Sequence, residues 1–251
     1  MKRIVLSITL LLLAASQLGA QQLYNMSFDD WSKKGREWLP WGEGAPAGQQ
    51  IWGTANHGLS ILGVNGAEPE DEIVAVKGPG KRAAKLHSEK VAWAFAAGSI
   101  FVGSFVKLIG FSGAEITWGT SFTARPASLS GYWYYLPQPI DHVKPPYEAL
   151  KGKTDIARVE VLLTDWDEAI HLRSGKKDPF DAQNDPSVIG RGVLQIERNT
   201  GGYVPFTIPI VYRDDRTPKQ VTIVCTASIY GGAFTGGDGS ILYLDEFRFN
   251  Y

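Results

Sequence analysis

Apolar and polar residues alternate with a period of two along most of the chain, and after residue 20 no stretch keeps helical i, i+3, i+4 spacing beyond about two turns. The pattern predicts an all-β protein with strands at 23–28, 59–64, 72–76, 82–87, 100–107, 131–136, 157–164, 191–196, 203–212, 219–228 and 241–249. In segment 219–228, Val221, Ile223, Cys225 and Ala227 take one face and Thr222, Val224, Thr226 and Ser228 the other, so one side is wholly apolar. Cys225 then reads as a small buried hydrophobe, not a reactive thiol. Roughly eleven strands at this spacing, with no blade or solenoid repeat, point to two packed antiparallel sheets: a β-sandwich of jelly-roll type.

The first twenty residues differ in kind. Met1-Lys2-Arg3, an apolar run over 4–15 and Leu18-Gly19-Ala20 follow the charge, apolar and small-residue order of a secretory signal, with cleavage expected after Ala20. The run falls short of the ~20 apolar residues of a membrane span and is punctuated by Ser7, Thr9, Ser16 and Gln17. Cys225 is the only cysteine, so neither a lipoprotein thioether near the junction nor an internal disulfide is available. The expectation is an exported protein, periplasmic or extracellular, not a lipoprotein, whose residues 21–251 form one domain. A formal net charge of −1 offers no basic field for nucleic acid or an anionic membrane. The 8 Trp, 10 Tyr, 11 Phe and 28 Gly suit sheets joined by tight turns, and they supply flat apolar faces.

Four segments carry a family resemblance: Tyr24-Asn25-Met26-Ser27-Phe28-Asp29-Asp30-Trp31; Phe122-Thr123-Ala124-Arg125-Pro126 leading to Gly131-Tyr132; Asp185-Pro186-Ser187-Val188-Ile189-Gly190; and 230–240, Gly-rich, followed by Leu242-Tyr243-Leu244-Asp245-Glu246-Phe247. Together they resemble the secreted bacterial family named the putative carbohydrate metabolism domain, over essentially all of the chain after residue 20. The resemblance implies a jelly-roll domain with a pocket on its curved sheet, and sugar binding as its role.

Strict alternation in the last strand would put Ile241, Tyr243, Asp245, Phe247 and Phe249 on one face, with Asp245 among aromatics. A buried unpaired charge costs several kcal/mol, so Asp245 should meet a cation, an arginine or a set of donors. With Asp29 and Asp30 it makes a candidate hard-oxygen site for structural calcium. The alternative is that Asp245 accepts turn N–H groups or pairs with an arginine. Asp178, Asp181 and Asp185 form a second oxygen cluster, equally explained as turn formers.

Sugar recognition needs an aromatic platform for the C–H face of a pyranose plus planar polar groups for its hydroxyls. Residues 125–135 offer both. Arg125 is biased to an extended backbone by Pro126, and its guanidinium fork suits vicinal hydroxyls or a carboxylate. Tyr132 and Tyr134 project to one face, Trp133 and Tyr135 to the other, and one pair must be core. Trp52, Trp166, Tyr230 and Asp238 complete the candidate ligand set, Tyr230 and Asp238 lying in a Gly-rich connection that brings backbone near a ligand or forms a flexible hairpin. For hydrolysis two carboxylates ~5–9.5 Å apart are required, and Asp165 and Asp167 are the candidates. The expected partner is an oligo- or polysaccharide, bound without catalysis. The alternatives are a glycoside hydrolase or lyase using Asp165, Asp167 or Asp238, and a structural adhesin module. No GxSxG, HExxH or P-loop pattern occurs, which disfavours serine hydrolase, zinc protease and nucleotide chemistry.

Overall fold

The computed structural model describes residues 20–91, 94–109, 113–173 and 180–251. The expected signal segment up to residue 19 and Asp178 lie outside the described residues. In chain order the strands are β1 (Ser32–Lys34), β2 (Glu37–Leu39), β3 (Trp52–Thr54), β4 (Ala67–Glu70), β5 (Ala83–His87), β6 (Glu89–Val91), β7 (Ala94–Ala96), β8 (Ser99–Leu108), β9 (Ala114–Trp118), β10 (Thr120–Ser121), β11 (Ser128–Leu136), β12 (Ala157–Thr164), β13 (Ile170–Arg173), β14 (Val188–Ile196), β15 (Val204–Pro209), β16 (Val211–Tyr212), β17 (Gln220–Thr226) and β18 (Ile241–Asn250).

Two antiparallel sheets carry the fold. The larger, nine-stranded sheet runs β13-β9-β8-β17-β12-β14-β16, with β10 beside β17 and β3 beside β8; the five-stranded sheet runs β15-β11-β18-β5-β4. The chain crosses repeatedly between the sheets, from β10 to β11 to β12, from β14 to β15 to β16, and from β17 to β18, which is jelly-roll connectivity. Between the sheets lies one apolar cluster. Val159, Val161 and Leu163 of β12 and Val221, Ile223 and Cys225 of β17 meet Leu129, Trp133 and Tyr135 of β11 and Leu242, Leu244, Phe247 and Phe249 of β18. Alternation thus places Trp133 and Tyr135 inside, and Tyr132 and Tyr134 on the outer face of the five-stranded sheet. Cys225 is fully buried, and burial pushes its thiol up, as expected of a core residue.

Three expected strands are not strands. Segment 23–28 is a turn in which Asn25 (φ 53°) and Phe28 (φ 58°) adopt left-handed backbone, so that Phe28 drops between Trp52 and Phe247, with ring centroids 5.2 and 5.1 Å away. Segment 59–64 falls in a short helix, Asn56–Leu59, and a 3-10 turn, Ser60–Leu62. Segment 72–76 is irregular and crosses a sheet face.

The last strand also departs from strict alternation. Ser130 pairs with Arg248 but Tyr132 pairs with Asp245, because a bulge at Glu246 (φ 49°) puts two residues of β18 opposite one of β11. One extra residue flips the phase. Leu242, Leu244, Phe247 and Phe249 all reach the core, whereas Tyr243 and Asp245 lie on the outer face with Tyr132 and Tyr134.

Candidate functional site

The outer face of the five-stranded sheet presents two cross-strand rows. Pro205, Tyr132 and Asp245 are register partners in one; Tyr134, Tyr243, Lys85 and Glu68 are partners in the other. Tyr134 stacks on Tyr243 (centroids 5.6 Å, 14° between planes), and Tyr203, just before β15, meets Tyr134 at 6.2 Å. Lys85 closes the second row with a 2.8 Å ion pair to Glu68. Tyrosines sit here because the strands need one apolar face for the core and the opposite face must still cover backbone. A phenol does that while keeping a polar tip.

A strap lies over this platform. Residues 71–76 leave edge strand β4, and Ala75 N–H donates to Asp245 Oδ2 at 2.7 Å on the middle strand. The Tyr203 hydroxyl, beside the opposite edge strand, donates to the Ile73 carbonyl at 2.9 Å. The strap therefore spans the sheet from one edge to the other. Its first turn is fixed by Glu70, whose Oε1 accepts the Glu72 and Ile73 N–H groups at 2.8 and 3.1 Å. Beneath it Asp245 is 1% exposed, and its Oδ1 is buried without a hydrogen-bond partner. Burial pushes the Asp245 carboxyl up to about 6; the Ala75 N–H opposes that shift, and the Glu246 carboxylate adds to it. Burial likewise pushes the Tyr203 hydroxyl up.

Other sequence candidates fall elsewhere. Trp52 is fully buried, its Nε1 donating to the Tyr24 carbonyl at 2.8 Å, so it is a core residue and not a ligand platform. Arg125 does not stand by the tyrosines. Its guanidinium stacks on Tyr212 (4.0 Å to the centroid) and donates to the carbonyls of Arg216 and Asp214, clamping the loop after β16. That loop also holds the proposed catalytic pair: Asp165 is ion-paired to Arg216, and Asp167 to Lys219 at 2.6 Å. The Lys219 ammonium holds the exposed Asp167 carboxyl below its usual range, the opposite of what a general acid needs. Trp166 is half-buried, donates to Ser187 Oγ at 2.6 Å and packs on Phe180. Asp181 and Asp185 accept from Gln183, Asn184 and Ser187, as turn formers.

Tyr230 packs on Tyr147 at 5.0 Å, and the exposed Asp238 accepts the Lys90 N–H at 2.8 Å. The glycines between them serve the fold, since a side chain at Gly236 or Gly237 would strike Phe95 or the carbonyls of Gln138 and Pro139. The expected metal ligands do not converge. Asp29 binds Lys81 at 2.9 Å and the Arg82 N–H, Asp30 accepts the Tyr24 hydroxyl at 2.7 Å, and Asp245 accepts Ala75. Among the described residues no three acidic, histidine or cysteine side chains form a metal-holding group. The turn N–H alternative for Asp245 is the one realised.

Sequence reasoning passed over several residues. Tyr203, Tyr243 and Lys85 join the site only through non-local pairing. Glu160 lies mid-strand on the outer face of the larger sheet, 4% exposed, with Arg191 Nε at 2.8 Å and Arg158 Nε at 3.4 Å. The alternation of β12 would have found it. Asp155 is fully buried and accepts from Ile156 N, Gly237 N, Ser228 Oγ and Ser240 Oγ, anchoring the Gly-rich connection.

Fold and face together define a two-sheet jelly-roll sandwich with a strapped aromatic platform on its smaller sheet. The chain belongs to the putative carbohydrate metabolism domain family, whose model matches residues 27–250. It is similar in fold to a putative glycoside hydrolase from Bacteroides thetaiotaomicron, at TM-score 0.67 and 19% identity over 90% of this chain and 70% of that one. A putative glycoside hydrolase from Bacteroides vulgatus aligns at TM-score 0.62 and 19% identity, covering 79% of this chain and 85% of that one. No curated protein matches this chain. The domain is thus carbohydrate-related and its architecture is shared with those two proteins. No helix among the described residues is long and apolar enough to cross a membrane.

Proposed function

We propose that this protein is exported and binds glycan chains, laying sugar rings against Tyr132, Tyr134 and Tyr203 on the outer face of the five-stranded sheet. The observation that carries the reading is the half-buried Tyr134, held in place by stacking on the buried Tyr243 and flanked by the Lys85–Glu68 pair. Flat rings take the apolar face of a pyranose, and the flanking Lys85 amine and Glu68 carboxylate take its hydroxyls. Membership in a carbohydrate-metabolism family supports the ligand class. A second reading, hydrolysis, draws on Asp245 alone: a carboxyl pushed up to about 6 by burial is suited to donate a proton to a leaving oxygen, and because Asp245 is 1% exposed this reading requires the strap at Ala75 to lift off it first.

A glycan array run beside a reducing-sugar assay separates the two. Binding without product supports the binding reading. Product formation by the wild type that disappears in Asp245→Asn supports hydrolysis, and silence in both assays removes the proposal.

A further inference from the structure

Away from the sheet face, a cavity of about 430 Å³ opens between the β1–β2 hairpin and the loop that follows it. Its volume lies in the range of ~300–1,000 Å³ typical of small-ligand sites. Trp31 lines it, buried and fixed by its Nε1 bond to the Phe28 carbonyl at 2.7 Å. Trp41 lines it and is half-buried.

The loop bearing Trp41 is pinned from below. Asn25 Nδ2 donates to the carbonyls of Pro40 and Asp30, and the Gly42 N–H donates to the Tyr24 hydroxyl. Such pinning means the pocket exists before any ligand arrives, which lowers the ordering cost of binding. The polar lining is short-range and of both signs: Lys33, the exposed Glu43, and Gln50, whose Nε2 is held by the Ala45 carbonyl at 2.7 Å so that its Oε1 is left to accept.

We infer that this Trp41 pocket is a second carbohydrate site, taking a neutral pyranose with an indole against its C–H face and Glu43 and Gln50 as hydroxyl acceptors. Lys33 and Glu43 offset one another, so no net charge selects for an acidic sugar. The inference rests on the glycan-binding reading for its ligand class, but on different residues. Two sites on separate elements would let one chain grip a polysaccharide at two points, where linkage raises avidity well above either affinity.

The test uses protein carrying 5-fluorotryptophan and 3-fluorotyrosine, titrated with cellotriose, xylotriose and mannotriose and followed by fluorine NMR. The Trp41 resonance is assigned by Trp41→Phe, and those of Tyr134 and Tyr243 by their Phe variants. The expected result is a saturable shift of the Trp41 resonance with at least one trisaccharide, weakened at least threefold by Glu43→Ala, an exposed substitution that leaves the melting temperature unchanged. Tyrosine shifts with Trp41 silent overturn the pocket and leave the sheet-face reading standing. A Trp41 shift with the tyrosines silent does the reverse. No shift in either set overturns both.

Discussion

Asp245→Asn should stabilise the protein at neutral pH and leave it unchanged near pH 4. Burial beneath the strap pushes the Asp245 carboxyl up to about 6 from an ordinary 3.8, more than the backbone N–H groups of Ala75, Val76 and Glu246 offset. Between those two values the folded chain keeps a proton that the unfolded chain has released. Raising the pH through that window therefore removes stability, which levels off once the folded group has ionised. About two pH units at 1.36 kcal/mol each amount to ~3 kcal/mol. Asparagine keeps a carbonyl oxygen for Ala75 and never ionises, so the variant escapes the loss. In a chain of this size ~3 kcal/mol corresponds to about 6–12 °C in Tm. Urea denaturation of both proteins from pH 4 to 7.5 reads the difference directly, since every other titrating group cancels. The two stability curves should meet near pH 4 and stand ~3 kcal/mol apart at pH 7. Parallel curves would refute the reasoning.

Glu160→Ala should cost about 2–3 kcal/mol in the same urea assay, less than the ~3–5 of a fully buried pair because Arg158 and Arg191 both reach water; a loss under about 0.5 would show the triad to be ornamental. Gly131→Ala places a methyl 2.6 Å from the Phe247 ring and 3.0 Å from the Asp245 carbonyl, so a destabilisation of about 1–3 kcal/mol is expected. Native Cys225 should resist thiol reagents until the protein unfolds, and rapid labelling under native conditions would contradict its place in the core.

Much of the fold was legible because the strands obey one rule. In β12 and β17 every second residue is apolar and both faces are accounted for, so alternation alone bounds 157–164 and assigns the core face of β17. The last strand failed through one residue. Nothing local marks Glu246 as a bulge, yet it reverses the face of everything before it and moves Asp245 from core to platform. Segment 23–28 failed because Met26 and Phe28 look like a strand's apolar set, while the chain uses them as a plug held by left-handed turns. Alternation puts Tyr132 and Tyr134 on one face without saying which face is outward, and Tyr203, Tyr243 and Lys85 come to them through pairings more than forty residues away in sequence, which no local pattern encodes. Arg125 misled for a related reason: sequence proximity to Tyr132 suggested contact, and an extended strand carries them apart.

The central claim, that the tyrosine face of the five-stranded sheet holds sugar, is tested most directly by calorimetric titration of Tyr132→Ala and Tyr134→Ala against plant and host polysaccharides, with thermal melts alongside. The account predicts at least a tenfold loss of affinity in both variants with the domain still folded, because these side chains stand outside the core. Wild-type affinity in both would contradict it.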